Sequence, residues 1–310
     1  MTLSVSIVNF NTQEHLRRCL ESIPRNVGCA DYEVIVADNA SADSSIRLIK
    51  DQYPKVKLIE NKDNLGATIA KNQTFKIAQG KYILILDSDI EILPGAVSQM
   101  VKFLEQNPTV GIVGPSVSFG DNRPQHSCNK TAPTLWASFL NKFFLFARLR
   151  YGFYRSRLGG EYIKKRYAKP ERFAWLGGMC LLARRDVIQA TNGMDENYFI
   201  YYDDADFCLM AGKLGWQVWY LPGACVIHHM GKGVGQFKEF LFPKIFASEL
   251  YFFKKHQGKQ AARACAVFVC ANMLARIAAN LPVFCFNAKA ARVKYQAYTA
   301  VLNTAKAYIK

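Results

Sequence analysis

Up to about residue 115 the chain alternates between short apolar runs and segments of helical period, a pattern that few folds accept. Residues 4–10, 32–37, 56–59, 82–86 and 111–113 read as strands. Between them, Leu16, Cys19, Leu20 and Ile23 recur at helical spacing, as do Ile46, Ile49 and Tyr53. Residues 68–78 and a segment opened by Pro94-Gly95 and running to Leu104 complete the helical set. Asn11 followed by Glu14 resembles a capping box for the first helix, and Ser41 or Asp43 is expected to start the second. Strands linked through helices pair in parallel, so an α/β architecture with a mostly parallel central sheet is expected.

Beyond residue 115 the pattern loosens. Residues 116–171 mix Pro, Gln and His with an aromatic-basic run over 139–154. A strand-like pattern resumes over 173–184, an acidic turn and helix follow over 195–214, and residues 217–220 and 225–228 read as two short strands. With 310 residues, half of them hydrophobic, the chain can bury a sizeable core. The formal charge of +16 is regional. Residues 250–310 carry ten Lys or Arg and no Asp or Glu, and residues 141–172 carry ten against two, so +10 and +8 leave about −2 for the rest. Such blocks suit anionic lipid headgroups, phosphorylated substrates or nucleic acid, but no helix-turn-helix, zinc-finger or RNP-like motif accompanies them, and no nucleic-acid partner is expected.

The tail, beginning near Gly235, holds an apolar stretch between Arg263 and Arg276, twelve residues over 264–275, where a membrane span needs about 20. Flanked by Lys254, Lys255, Lys259 and Arg263, it reads as an interfacial helix on an anionic membrane surface. The competing reading is a lid packed on the catalytic domain or a homo-oligomer contact. The nine Cys lack metal-ligand spacing and sit mostly in apolar runs (Cys180, Cys208, Cys265, Cys270), as expected of buried thiols in a reducing compartment. Residues 1–10 read as a strand rather than a signal segment, which places the expected location on the cytoplasmic side.

The chemistry concentrates at strand ends. Tyr82-Ile83-Leu84-Ile85-Leu86 delivers Asp87-Ser88-Asp89 to the sheet edge, where ligands of open α/β folds bind. Two carboxylates one residue apart can hold Mg2+ or Mn2+, and such an ion usually holds a diphosphate. The second strand ends in Asp38-Asn39, able to accept hydrogen bonds from a nucleoside or to cap a helix. Asp203, Asp204 and Asp206 crowd three carboxylates into four residues, which can raise a pKa and make a base, or simply complement a helix N-terminus. His228 and His229 end a strand and can complete a metal shell, with Gly231 and Gly233 allowing a loop to close. The first strand is followed by Asn9-Phe10-Asn11-Thr12, not by Gly-x-Gly-x-x-Gly or a Gly-rich Lys-Ser/Thr loop. That excludes a dinucleotide oxidoreductase, a P-loop NTPase and a sugar-nucleotide-forming nucleotidyltransferase.

Taken together, Val5-Ser6-Ile7-Val8-Asn9-Phe10-Asn11, Val36-Ala37-Asp38-Asn39-Ala40-Ser41-Ala42-Asp43-Ser44 and Glu60-Asn61-Lys62-Asp63-Asn64-Leu65-Gly66 resemble the signatures of family 2 glycosyltransferases. More narrowly, they resemble the bacterial branch with rhamnosyltransferases of O-antigen and cell-wall polysaccharide assembly. The resemblance continues through Asp87-Ser88-Asp89, Trp175-Leu176-Gly177-Gly178-Met179-Cys180-Leu181-Leu182, Gly193-Met194-Asp195-Glu196-Asn197-Tyr198-Phe199, Tyr202-Asp203-Asp204-Ala205-Asp206-Phe207-Cys208 and His228-His229-Met230-Gly231.

It implies a GT-A fold, a nucleotide-diphospho-sugar donor, inversion at the anomeric carbon, and Mg2+ or Mn2+. A catalytic domain over 1–234 is expected, with a donor half to about 115 and an acceptor half from 116, followed by a helical tail over 235–310. By motif position, Asp38 and Asn39 meet the base, and Asn11, Asn64 and Gly66 line the nucleoside pocket. Asp87, Ser88 and Asp89 serve ribose and metal, Asp89 being the favoured ligand, joined by His228 or His229. Asp204 matches the general base; Asp203 stands where the family has Glu. Trp175, Gly177, Gly178 and Asp203 are expected on the acceptor side, because aromatics stack on sugar faces. The donor is expected to be dTDP-rhamnose, with UDP-hexose or UDP-N-acetylhexosamine as rivals, and the acceptor a glycan carried on a polyprenyl diphosphate, reached from the inner face of the cell membrane.

Overall fold

Apolar residues at alternate positions of the central strands point to opposite faces of the sheet, and both faces are covered. In the computed structural model, which describes residues 1–28, 31–142, 149, 152–154, 156–230, 238–286 and 288–309, Leu84 and Leu86 join Val5, Ile7, Leu16, Leu20 and Ile23 in one buried cluster. Ile83 and Ile85 join Ile35, Ile112, Phe207 and Ala211 in another. The chain forms two compact units, one of residues 1–132, 153–196 and 203–233, the other of residues 133–152, 197–202 and 234–310.

In the first unit β1 (Leu3–Asn9), β2 (Tyr32–Asp38), β3 (Lys57–Glu60) and β4 (Tyr82–Asp87) run parallel in the order β3-β2-β1-β4. The same sheet continues with β11 (Cys180–Arg184), β6 (Val110–Phe119), β12 (Gln217–His228) and β5 (Ile90–Ile92). There β6 and β12 are parallel, while β11 and β5 run antiparallel to their neighbours. β7 (Pro124–Gln125) adds to β6 and β9 (Glu171–Phe173) to β12; β8 (Cys128–Asn129) and β10 (Trp175–Leu176) form a separate ladder. The helices of this unit are α1 (Gln13–Asn26), α2 (Ser45–Gln52), α3 (Ala67–Ile77), α4 (Ala96–Gln106), α6 (Arg157–Arg166), α7 (Arg185–Ala190) and α8 (Asp203–Lys213). Register decides what meets at the edge: Asn9 lies opposite Asp38, Val8 opposite Asp87, and His228 opposite Ile90.

Three local expectations are corrected. The N-cap of α1 is Thr12, without a side-chain cap bond, so Asn11 and Glu14 form no capping box. Asn11 adopts φ 53°, a left-handed conformation that Asn tolerates, and the Gln13 N–H is satisfied by Asp43 Oδ2 at 2.9 Å. The second helix starts at Ser45 rather than Ser41 or Asp43, since Asp43 Oδ1 accepts the Ser45 N–H at 3.0 Å and Ser41 is held by Asp38. Finally, residues 217–228 are one strand, not two. Pro222, which has no N–H to donate, and Gly223 fall in a register shift between Leu221 and Cys225 that the parallel pairing with β6 spans.

The second unit is helical: α5 (Leu135–Lys142), α9 (Lys238–Phe286, interrupted at Gly258 with φ 87°) and α10 (Ala288–Ile309). α9 packs on α5 and α10, burying Leu250, Phe252, Phe253, Cys265, Val269, Met273, Val301 and Ala305. Lys142 Nζ meets Glu249 Oε1 at 2.7 Å inside it. The apolar part of α9 is not limited to twelve residues. Within Phe240–Leu281 one 18-residue window is apolar enough to cross a membrane by length and composition, and residues 264–281, which run past Arg276, carry that residue as their one charge. The tail's expected start at Gly235, the closing loop at Gly231 and Gly233, and half of the aromatic-basic run 139–154 lie outside the described residues. Among the described residues seven cysteines are free thiols, five of them buried.

Candidate active site

Parallel in-register strands bring Asn9, Asp38 and Asp87 to one edge of the sheet. Asp38 is fully buried; its Oδ2 accepts Asn9 Nδ2 and Ser41 Oγ, both at 2.7 Å, and its Oδ1 accepts the Ser41 N–H at 2.8 Å. Asn39 donates to the Gly66 carbonyl at 2.9 Å and accepts from Asn61 at 2.9 Å. Asn64 Oδ1 accepts the Gly66 N–H at 3.0 Å, and Gly66 (φ 88°) turns the chain into α3, a conformation open to glycine. Asn11 Oδ1 takes the Ala42 N–H at 2.7 Å. The four amide and carboxylate residues expected around the nucleoside, with Gly66, therefore form one hydrogen-bonded loop system at the ends of β1, β2 and β3.

The next strand supplies the acidic motif. Asp87 is half-buried at the edge, with its N–H on Met179 O at 3.0 Å. Burial, helped by the charge of Asp89 and opposed by Lys71, pushes its carboxyl up to about 6. Ser88 Oγ and Thr12 Oγ1 are 2.7 Å apart. The two histidines part ways. His228 Nε2 lies 3.2 Å from Asp89 Oδ2 and its Nδ1 2.9 Å from Gln125 Oε1. His229 gives its N–H to Asp89 O at 2.9 Å, while its Nε2 faces Glu91 Oε2 at 2.8 Å. Burial alone would lower the His228 pKa; the Asp89 hydrogen bond and the charges of Asp89 and Asp87 outweigh it and raise the pKa.

The residues fit a divalent cation. Ligands on one octahedral ion with bonds of about 2.1 Å stand about 3 Å apart, close to the Asp89–His228 separation of 3.2 Å. Among the described residues no three His, Cys, Asp or Glu are gathered for an ion. Asp89 and His228 would thus be the protein's share of a shell filled by substrate phosphate and water, as is usual for Mg2+.

The third group is built by α8. Asp203 is buried against Lys71 of α3, with Nζ to Oδ2 at 2.8 Å and both side chains about 5% exposed. Asp204 takes the Gly178 N–H on Oδ2 at 2.8 Å and the Ala205 N–H on Oδ1 at 2.8 Å. A Cβ on Gly178 would stand 2.9 Å from the Asp204 Cβ, so only glycine allows this approach. Burial, then the charge of Asp203, push the Asp204 carboxyl up to about 6 against the pull of these N–H groups and Lys71. Gly177 gives its N–H to Ser127 O at 2.7 Å, and the Trp175 indole donates to Thr131 O at 3.0 Å while its ring packs partly on the core.

Sequence reading missed Lys71, Gln125, Glu91 and His15. Lys71 stands 132 residues from Asp203 and looks like one more helix lysine. His15 has its ring 6.2 Å from that of His229, and burial lowers its pKa. No local pattern marks these side chains; tertiary pairing alone brings them in.

This arrangement, with a hydrogen-bonded loop system, an acidic strand end and a carboxylate at a helix start, is the GT-A glycosyltransferase fold. Solved structures agree. Staphylococcus aureus TarS (residues 1–349) matches with a TM-score of 0.54 at 14% identity, covering 99% of this chain and 91% of that one. A Pyrobaculum calidifontis mannosyltransferase, solved with GDP-Man and Mn2+, matches with a TM-score of 0.51 at 16% identity, covering 99% and 86%. The chain belongs to glycosyltransferase family 2: residues 4–168 match the family described as Glycosyl transferase family 2. One relative, the N-acetylglucosaminyl-diphospho-decaprenol L-rhamnosyltransferase of Mycobacterium tuberculosis, is 29% identical over 248 residues, 76% of this chain and 78% of its own length.

Proposed function

We propose that the chain is an inverting, metal-dependent glycosyltransferase that moves L-rhamnose from dTDP-rhamnose to a glycan on a polyprenyl diphosphate, in envelope polysaccharide synthesis. The mycobacterial relative's named activity supports the sugar and the acceptor. The observation that carries the chemistry is Asp204: a half-buried carboxyl pushed up to about 6, oriented by two N–H groups beside an Asp already paired with Lys71. A sugar hydroxyl is a poor nucleophile, so Asp204 takes its proton as the oxygen attacks the anomeric carbon. The bond from that carbon to the diphosphate oxygen breaks on the opposite face, and the diphosphate leaves with the electron pair. A divalent cation held by Asp89 and His228 would supply positive charge to the leaving group. Asp38 has three of about four acceptor positions filled, so base contact uses the one left or passes through Ser41. We assign this chemistry to residues 1–234, donor side first, with Trp175, Gly177 and Gly178 toward the acceptor.

The test is direct transfer. Full-length protein is given dTDP-rhamnose, UDP-glucose or UDP-N-acetylglucosamine, each with Mn2+ and a synthetic N-acetylglucosaminyl-diphospho-polyprenol, and the lipid product is weighed by mass spectrometry. A deoxyhexose increment from dTDP-rhamnose supports the reading; transfer from a UDP-sugar alone overturns the donor assignment.

For the helical tail we propose peripheral binding to an anionic inner leaflet. Val267, Leu274 and Leu281, spaced seven apart on one face of α9, are each about half exposed, in a segment with ten basic and no acidic residues over 250–310. Basic residues near such a surface contribute about 1 kcal/mol each. Flotation with anionic vesicles should recover the protein at low salt and release it at high salt. Absence from anionic vesicles, or retention through alkaline carbonate as for a spanning helix, contradicts peripheral binding.

A further inference from the structure

The acidic pair at the start of α8 contains one buried carboxylate, Asp203, and one half-buried, Asp204, and chemistry needs only one proton acceptor. We propose that Lys71 is a positioning residue that selects the base: by locking Asp203 into an ion pair, it leaves Asp204 as the carboxylate that exchanges a proton with the acceptor hydroxyl. This rests on the reading of Asp204 as base.

The geometry carries it. Lys71 rises from α3 and places Nζ 2.8 Å from Asp203 Oδ2, with both partners about 5% exposed. Removing one partner of a buried pair leaves an uncompensated charge, so the pair holds Asp203 in one place. Asp204, the next residue, is held through backbone N–H groups of Gly178 and Ala205, which fix its direction without satisfying its charge. The groups facing Asp204 are Asp203 from its own helix and Lys71 from α3. Lys71 in turn faces Asp87 at the end of β4 as well as Asp203 and Asp204. Cys208 and Asp206 complete the ionisable groups of this helix face, and burial with the neighbouring carboxylates pushes the Cys208 thiol up to about 12, so it stays neutral. Lys71 thus sits among three carboxylates and makes its direct hydrogen bond to Asp203.

The test reads the acid limb of kcat at saturating donor and acceptor, with donor Kd measured separately. Lys71→Met removes a positive charge that favours ionised Asp204, so the limb should move to higher pH by roughly one unit, the scale of a nearby opposite charge. Asp203→Asn removes a negative charge and should move it to lower pH. Lys71→Arg should keep it in place. Lys71→Met combined with Asp203→Asn removes both partners, avoids a buried lone charge, and should return the limb toward that of the parent. A limb unmoved by both Lys71→Met and Asp203→Asn overturns the inference while leaving Asp204 as base. Should Lys71→Met fail to fold, an Asp203→Asn limb at or above the parent's overturns it by itself. Full activity of Asp204→Asn would instead remove the reading on which it stands.

Discussion

Asp204→Asn is expected to lower kcat by about 10² to 10⁴, the usual contribution of a positioned general base. The substitution preserves size, and the Asn side-chain oxygen can still accept the Gly178 N–H that Asp204 Oδ2 takes at 2.8 Å. What it loses is proton acceptance. Donor affinity should therefore be unchanged in calorimetry, and the loss should appear in kcat alone. The parent enzyme supplies a matching sign. Asp204 acts only when deprotonated, and burial with the Asp203 charge pushes it up to about 6. Activity should then fall as pH drops through about 6, well above the usual carboxylate range. If the residual activity of Asp204→Asn still falls there, the limb belongs to Asp87, which burial also pushes up to about 6. If Asp203→Asn is the inactive variant and Asp204→Asn is not, the two carboxylates have been assigned in reverse.

Asp89→Ala should be comparably severe. It deletes the carboxylate that stands 3.2 Å from His228 Nε2 at the end of β4. If the pair holds a cation at the leaving diphosphate, the loss is several kcal/mol of charge stabilisation, about 10² or more in rate. Three readings should move together: kcat falls, the Mn2+ concentration needed for half-activity rises, and nucleoside diphosphate no longer binds more tightly with Mn2+ than without. The melting temperature should change little, because Asp89 lies at the sheet edge rather than in the core. Losing its hydrogen bond and charge should also let the His228 pKa fall, which a proton NMR titration of the imidazole would show. Full parental activity after metal stripping in EDTA would end the metal assignment.

The order of strands and helices, and the placement of acidic groups at strand ends, could be read from the chain alone. Periodicity is a local property: Leu16, Cys19, Leu20 and Ile23 face the core because a helix turns every 3.6 residues, and all four are buried. Strand ends point at a ligand edge in any open α/β sheet, so the sequence by itself marks Asp38 and Asp87–Asp89. The same reasoning misplaces the cap of α1 and splits β12 at Pro222, since each depends on what a distant segment offers, and it stops the apolar tail helix at Arg276, where one charge does not end an apolar run.

Pairing across the chain lay with the tertiary structure. Which histidine meets Asp89 follows from the antiparallel register of β12 on β5, which sets His228 opposite Ile90 and sends His229 to Glu91. Which carboxylate of the acidic pair is tied into an ion pair follows from Lys71, 132 residues from its partner and unremarkable in its own helix. A sequence displays the charges; a buried ion pair forms only where folding removes water from both partners at once, and that place is defined by the packed whole.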